Sequence, residues 1–374
     1  MRIAILAYLY QAGCSTHELL DQYPVLCWQA EGLRDAGAEV IPLIRWHQDE
    51  NIQRNGITYH FVADPFGPHL RPWHIPHRFH RVACQHAPDV AHIHGMGLLT
   101  QAAFLRTRLP RSCKLVVQHH SERPAASFKR LIQQRCARAV NGFLFPTPEL
   151  AQEWLDAGVI SSKKFVHVMP EASSWVRRED PQHARARTGL TGTPTLLWVA
   201  HLNAGKDPLT VLRGFEKALA HLPQMRLYMA HGAADTLLPA VQALIQNSPA
   251  LAQSVVLLSQ IARADLGLYY ASADYFVIGS TRYGGILALT EALVCGVVPI
   301  VTDTPYYRAM THDAQGTIGA LWQVGDPNSL AQAIIQIAGQ PREPISQRAM
   351  QIYKDHLSWP VLSRQALAIY EKIT

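Results

Sequence analysis

Residues 280–303 read STRYGGILALTEALVCGVVPIVTD. Polar turn residues lead into Gly284 and Gly285. An apolar helical pattern follows, Cys295 and Gly296 break it, and a β-branched run begins. Turn, helix and strand in that order form the crossover half of a βαβ unit, the connection that parallel strands require. One acid, Glu291, stands inside the helix beside Leu289, Ala292 and Leu293. Burying a carboxylate there is costly unless a polar group meets it. Either that face is exposed, or a partner or ligand waits for the acid.

The same alternation runs along the whole chain. Strand patterns occur at residues 2–9, 38–44, 90–94, 114–119, 142–146 and 165–170, then again at 195–200, 225–230, 255–258 and 275–279, and after the break at Cys295 and Gly296. Helical patterns lie between most of them. Thr147–Pro148, Asp207–Pro208 and Asp326–Pro327 look like a capping residue followed by the first helical position. Strands alternating with helices imply parallel sheets with right-handed crossovers. The fold expected is α/β, with two Rossmann-like domains facing across a cleft. At 374 residues the chain has room for two domains of ordinary size. Polar, proline-bearing residues 171–194 show no periodicity and read as an interdomain linker. The expected division is 1–172, 173–355, and a final helix in 356–374 returning to the first domain.

Composition narrows the function. With 48% hydrophobic and 17% charged residues, the chain is an ordinary globular one. A net charge of +6, spread without a basic stripe, suits an anionic small ligand or membrane surface and argues against nucleic acid. The six cysteines form no CxxC pair, so neither zinc knuckle nor disulfide framework is expected, and a cytoplasmic setting is the simplest. MRIAILAYLYQAGC reads as a first strand rather than a lipoprotein signal. Histidines 69, 74, 77, 80 and 86 crowd one stretch that holds no acid, which speaks against a metal. FKRLIQQRCARAV at 128–140 is a basic amphipathic helix, open to a surface role or to peripheral membrane contact.

Several segments, in order, resemble glycosyltransferase family 4, whose architecture is the two-Rossmann GT-B fold. LLWVAHLNAGKDPLTVLRGF, LYMAHGAAD, VVLLSQIARADLGLYYASADYFVIGS, the glycine-turn helix and WQVGDPNSLAQAI match its second domain. DVAHIHG and VVQHHS are similar to two histidine-bearing strand ends of its first. The resemblance implies a glycosyltransferase acting with retention and without a metal. It would use a nucleotide-diphosphate sugar, of UDP or GDP type, and a glycan, lipid or small-molecule acceptor. No other cofactor is implied.

The resemblance also distributes roles. Lys206 falls on the phosphate lysine, and His120 on the histidine beside the donor sugar. Gly284, Gly285, Ile286 and Leu287 would bring backbone N–H groups to a diphosphate. Glu291 would accept the ribose hydroxyls, and Ile261 lies in the base-binding stretch. Gly13 follows the first strand, as part of a phosphate and acceptor loop or as a plain turn. His94 lines the cleft or serves the core. Two positions depart from the family. Tyr283 stands where the sugar-contacting acid belongs, and His201 where a phosphate-binding arginine belongs. These departures keep a second reading open, a GT-B-fold binding or partner protein with little or no transferase activity.

Overall fold

The computed structural model describes residues 1–8, 10–171, 173–232, 235–282 and 284–373. Tyr283 therefore lies outside the described residues. The chain forms two compact units: Met1–Ser173 with Trp359–Thr374, and Ser174–Ser358.

In the first unit, strands β1 (Arg2–Ala7), β2 (Glu39–Trp46), β3 (Glu50–Arg54), β4 (Ile57–Ala63), β5 (Val90–His94), β6 (Lys114–Gln118), β7 (Gly142–Phe145) and β8 (Phe165–Val168) form one sheet. Their order is β3-β4-β2-β1-β5-β6-β7-β8. Helices cover both faces of such a sheet, so its central strands are continuous apolar runs; Ile3, Ala4, Ile5 and Leu6 are all fully buried. The only antiparallel pair joining this sheet's described strands is β3 with β4. Its two-residue turn is Asn55–Gly56, both at positive φ (50° and 76°), the geometry an Asn-Gly hairpin favours. This hairpin is absent from the strand pattern read above, although the Asn-Gly signal was there to find.

The last helix, Trp359–Lys372, packs on the helix Pro24–Asp35 within this unit. Leu362, Ala366 and Ile369 join Ala30 and Leu33 in one core. The two helices approach closely at Gly32, where an added Cβ would fall 2.5 Å from Ser363 Oγ. A second internal anchor is Arg45, fully buried and paired with the equally buried Asp64 at 3.1 Å. Its other donors reach the carbonyls of Phe66, Gly67 and Pro68, so the guanidinium pins the loop after β4.

In the second unit, β9 (Thr195–Val199), β10 (Arg226–Ala230), β11 (Val255–Leu258), β12 (Tyr275–Ile278), β13 (Val298–Thr302) and β16 (Ala320–Trp322) form a parallel sheet in the order β11-β10-β9-β12-β13-β16. A two-stranded ribbon, β14 (His312–Asp313) and β15 (Gly316–Thr317), lies outside it. Counted along the chain, the six-stranded order is 3-2-1-4-5-6, that of the dinucleotide-binding Rossmann fold. Strand order reverses between β9 and β12, and ligands bind at the carboxyl ends of strands at such a point. In the first unit the corresponding reversal lies between β1 and β5.

The linker expected over 171–194 needs correction. Residues Pro181–Thr188 are helical, capped by Asp180 accepting the His183 N–H and ended by Gly189 at φ 68°. Only Ala184 of this helix is buried, so no apolar periodicity marked it. The Asp-Pro start and glycine stop were its legible signals.

Candidate functional site

The second unit brings a lysine, a serine and a glycine turn together at its switch point. Lys206 lies in the loop after β9, just before Asp207 caps the helix Pro208–Leu219. Its Nζ reaches Ser280 Oγ, 3.3 Å away beyond the end of β12. Gly284 and Gly285 follow, with φ of 117° and 89°, conformations that L side chains rarely adopt. A Cβ on Gly284 would sit 2.8 Å from Lys206 Nζ, and one on Gly285 3.2 Å from it. The ammonium is thus laid against the glycine turn. Tyr307 braces the turn from below: its buried hydroxyl donates to the Gly284 carbonyl at 2.8 Å and lies 3.0 Å from Ser280 Oγ. Burial raises the Tyr307 phenol above its ordinary range and keeps it neutral.

The helix Ile286–Val294 begins at this turn with Gly285 as its cap, and no side-chain cap hydrogen bond is formed among the described residues. Ile286 and Leu287 are its first residues. An uncapped helix start carries about half a positive charge and free donors. Together with Lys206 it gathers positive charge at the glycine turn.

Glu291 lies on the same helix and is buried. Its carboxylate accepts from Tyr270 Oη at 3.1 Å, Arg263 Nη1 at 3.3 Å and Ser174 Oγ at 3.5 Å. Burial raises its pKa, against the opposing pull of Arg263, Tyr270 and Ser174. The acid in the apolar helix is therefore matched by protein donors, which neighbouring sequence did not disclose. Ile261 is half-buried, two residues before Arg263.

His201 is 74% exposed at its side chain, and its Nδ1 lies 2.6 Å from Asp235 Oδ1. Asp235 also accepts the backbone N–H groups of Leu202 and Gly232, at 2.7 and 2.9 Å. Burial would raise the Asp235 pKa. The Leu202 N–H, His201 and the Gly232 N–H outweigh that and hold it below the usual carboxylate value. Asp235 ties the loop after β9 to the end of β10.

A separate cluster occupies the carboxyl ends of β5, β6 and β8 in the first unit. His94 Nδ1 lies 2.9 Å from His120 Nε2, and His120 Nδ1 lies 2.7 Å from Glu171 Oε2. Glu122 accepts the His120 and Ser121 backbone N–H groups. Burial alone would lower the His120 pKa, but Glu171 and Glu122 outweigh it and hold the imidazole above its ordinary value. His92 stacks on His94, ring centroids 4.5 Å apart, and its Nδ1 meets Tyr370 Oη at 2.7 Å. His119 turns into the core, with Nε2 2.9 Å from the Glu122 carbonyl. Gly13 is exposed in the turn before the helix Thr16–Gln22, at φ 82° with open space around it.

Glu171, Glu122, Asp235, Arg263 and Tyr307 were all missed from sequence. Glu171 was read as linker. Glu122 lies two residues from His120, and Asp235 and Arg263 lie inside segments that carry the resemblance, but only the structure shows what they contact; Tyr307 lies 23 residues beyond Gly284.

In the histidine-rich stretch, His80 is buried against Tyr8 Oη at 2.7 Å and His74 stacks on Phe66. Among the described residues no group of three or more His, Cys, Asp or Glu side chains is placed to hold a metal ion. No helix among them is long and apolar enough to cross a membrane.

Comparison with known proteins agrees with this architecture. Residues 193–340 match the family described as glycosyl transferases group 1. Alpha-monoglucosyldiacylglycerol synthase of Streptococcus pneumoniae is 27% identical over 162 residues, covering 43% of this chain and 35% of that protein. The match thus spans about a third of that relative's length. Sucrose-phosphate synthase from Thermosynechococcus elongatus superposes with a TM-score of 0.76 at 18% identity, over 99% of this chain and 98% of that one. The catalytic domain of starch synthase IV from Arabidopsis thaliana, bound to ADP and acarbose, gives 0.71 at 14% identity, over 99% and 98%. The E. coli trehalose-6-phosphate protein bound with UDP-2-fluoro glucose gives 0.70 at 13%, over all of both chains. At these identities the structural likeness establishes the fold, which is GT-B. The chain thus has the GT-B fold, and its residues 193–340 are similar to the glycosyl transferases group 1 family.

Proposed function

We propose that the chain is a glycosyltransferase that moves a sugar from a nucleotide-diphosphate sugar to an acceptor. The observation that carries this reading is the Lys206 ammonium laid against the glycine turn at the uncapped start of helix Ile286–Val294. A departing diphosphate gathers negative charge as the glycosidic bond breaks. A fixed cation and preorganised N–H donors favour that state over the ground state. UDP-2-fluoro glucose and ADP in two structural neighbours support a nucleoside diphosphate as the donor's leaving group. Retention of configuration, independence of metal and a ribose contact by Glu291 belong to the same proposal. A purified preparation given the matching sugar donor and acceptor is expected to release free nucleoside diphosphate. Lys206→Ala should abolish that release while leaving the circular dichroism spectrum unchanged. Unchanged release would reject the role given to Lys206.

The acceptor side of the proposal is a lipid at an anionic membrane surface. On helix Ser127–Ala137 only Ala137 is buried. Phe128, Leu131 and Ile132 are 67%, 53% and 45% exposed. Lys129, Arg130 and Arg135 stand among them. Apolar side chains flanked by fixed cations are the composition of a helix lying in a lipid interface. The name of the pneumococcal relative, with its diacylglycerol, points the same way.

A further inference from the structure

His94, His120 and Glu171 stand in one chain of close polar contacts, a 2.9 Å hydrogen bond between the histidines and a 2.7 Å ion-pair distance from His120 to the carboxylate. Both ring nitrogens of His120 are engaged, which ties its charge to the protonation pattern of His94. A charged imidazole donates from both nitrogens, and a neutral one donates from one and accepts at the other. When His120 is charged, its Nδ1–H serves Glu171 and its Nε2–H serves His94 Nδ1. His94, accepting at Nδ1, must then carry its own proton at Nε2. When His120 is neutral, the carboxylate, an acceptor only, keeps the proton at His120 Nδ1. His120 Nε2 is then bare and accepts from His94 Nδ1–H, which leaves His94 Nε2 bare as well.

We propose that Glu171, His120 and His94 form a proton-controlled switch, in which the charge on His120 decides whether His94 presents an N–H or a lone pair at Nε2. Glu171 is the positioning residue, because it fixes which nitrogen of His120 keeps the last proton. His94 Nε2 is the atom whose character changes, and it is shielded from solvent with no hydrogen-bond partner among the described residues.

The surrounding charges place the proton on His120 rather than on His94. Glu171 and Glu122 both face His120 and favour its cation. Desolvation of the half-buried His94 ring, with His92 stacked on it and His120 beside it, holds its pKa well below the ordinary value. His92, buried and bonded to Tyr370 of the last helix, is pushed down to about 3 and stays neutral. His119 is directed to the Glu122 carbonyl, and burial lowers its pKa as well. His120 is therefore the histidine of this group whose pKa is held above the ordinary value. The switch stands independently of the reaction proposed above.

Nitrogen-15 NMR of the imidazoles in the full chain, across pH 5 to 9, tests this directly. The expected result is that His120 titrates above the ordinary imidazole value. Over the same pH range His94, neutral throughout, should change from the Nε2–H to the Nδ1–H form. Glu171→Gln should lower the His120 midpoint by at least about one pH unit and move the His94 change with it. A His94 that keeps one tautomer through the His120 titration would overturn the proposal in the wild-type protein alone. So would a His120 midpoint unmoved in a folded Glu171→Gln variant. Neither reading depends on turnover, so failure here leaves the glycosyltransferase assignment standing, and the reverse also holds.

Discussion

Lys206 Nζ lies 3.3 Å from Ser280 Oγ, so the loop after β9 is joined to the turn after β12 across the point where strand order reverses. These two residues are 74 positions apart in sequence. The contact exists because β9 and β12 are neighbours in the sheet. It sets the ammonium against Gly284 and Gly285, whose missing side chains leave it room.

Gly284→Ala tests that use of space. The new methyl group would fall 2.8 Å from Lys206 Nζ, at a φ of 117° that suits glycine. Strain of this kind costs about 1–3 kcal/mol, and the lysine must also move. The expected outcome is a lower melting temperature together with nucleoside diphosphate binding weakened at least about tenfold by calorimetry. Binding at wild-type strength would show that the turn does not shape the site.

Glu291 gives a pH-dependent prediction. Its pKa is raised in the folded protein, chiefly by burial. The folded state therefore holds that proton more tightly than the unfolded chain does. The stabilisation is present below the ordinary carboxylate value and is lost as pH rises through the raised one. Glu291→Gln removes the titration. The melting temperature of the variant relative to wild type should thus rise as pH increases through that window. A difference that stays flat or falls, measured by calorimetry at stepped pH, would contradict the raised value.

Alternating strands and helices were readable because central parallel strands are largely apolar and several helices open on a capping residue and proline. The helix Pro181–Thr188 escaped because a short helix with one buried residue has almost no periodicity. The hairpin of β3 and β4 escaped because its strands, ENIQR and ITYHFVA, mix polar and apolar residues at a sheet edge. In the candidate site, Lys206, His120 and the glycine turn were legible through motif order. Their partners were not. Arg263 and Tyr270 reach Glu291 from 28 and 21 residues upstream, and Glu171 reaches His120 from two strands further on. Such pairings follow from sheet order, which a single sequence does not spell out.

Arg45→Met leaves Asp64 buried without its cation. Removing one partner from a buried pair costs about 3–5 kcal/mol, and the carbonyls of Phe66, Gly67 and Pro68 lose their donors as well. A large fall in melting temperature is expected. A variant as stable as wild type would show that the pair contributes nothing to the first unit.

Phe128→Ser combined with Leu131→Ser addresses the exposed helix. Neither residue is buried, so the fold should be unaffected. Wild-type protein should sediment with vesicles of phosphatidylglycerol and phosphatidylcholine at low salt, and the double variant should stay largely in the supernatant. Equal sedimentation of both would remove this helix as the membrane contact.

The central claim is that the second unit holds a nucleoside diphosphate between Lys206 and the start of helix Ile286–Val294. Isothermal titration with UDP, GDP and ADP, each beside its phosphate-free nucleoside, tests it most directly. At least one diphosphate should bind, and its nucleoside should bind far more weakly. Lys206→Ala should reduce the affinity about tenfold to a hundredfold, the range of a hydrogen bond to a charged group. A diphosphate that binds equally well with and without Lys206, or no binding of any of the three at high micromolar concentration, would contradict the account.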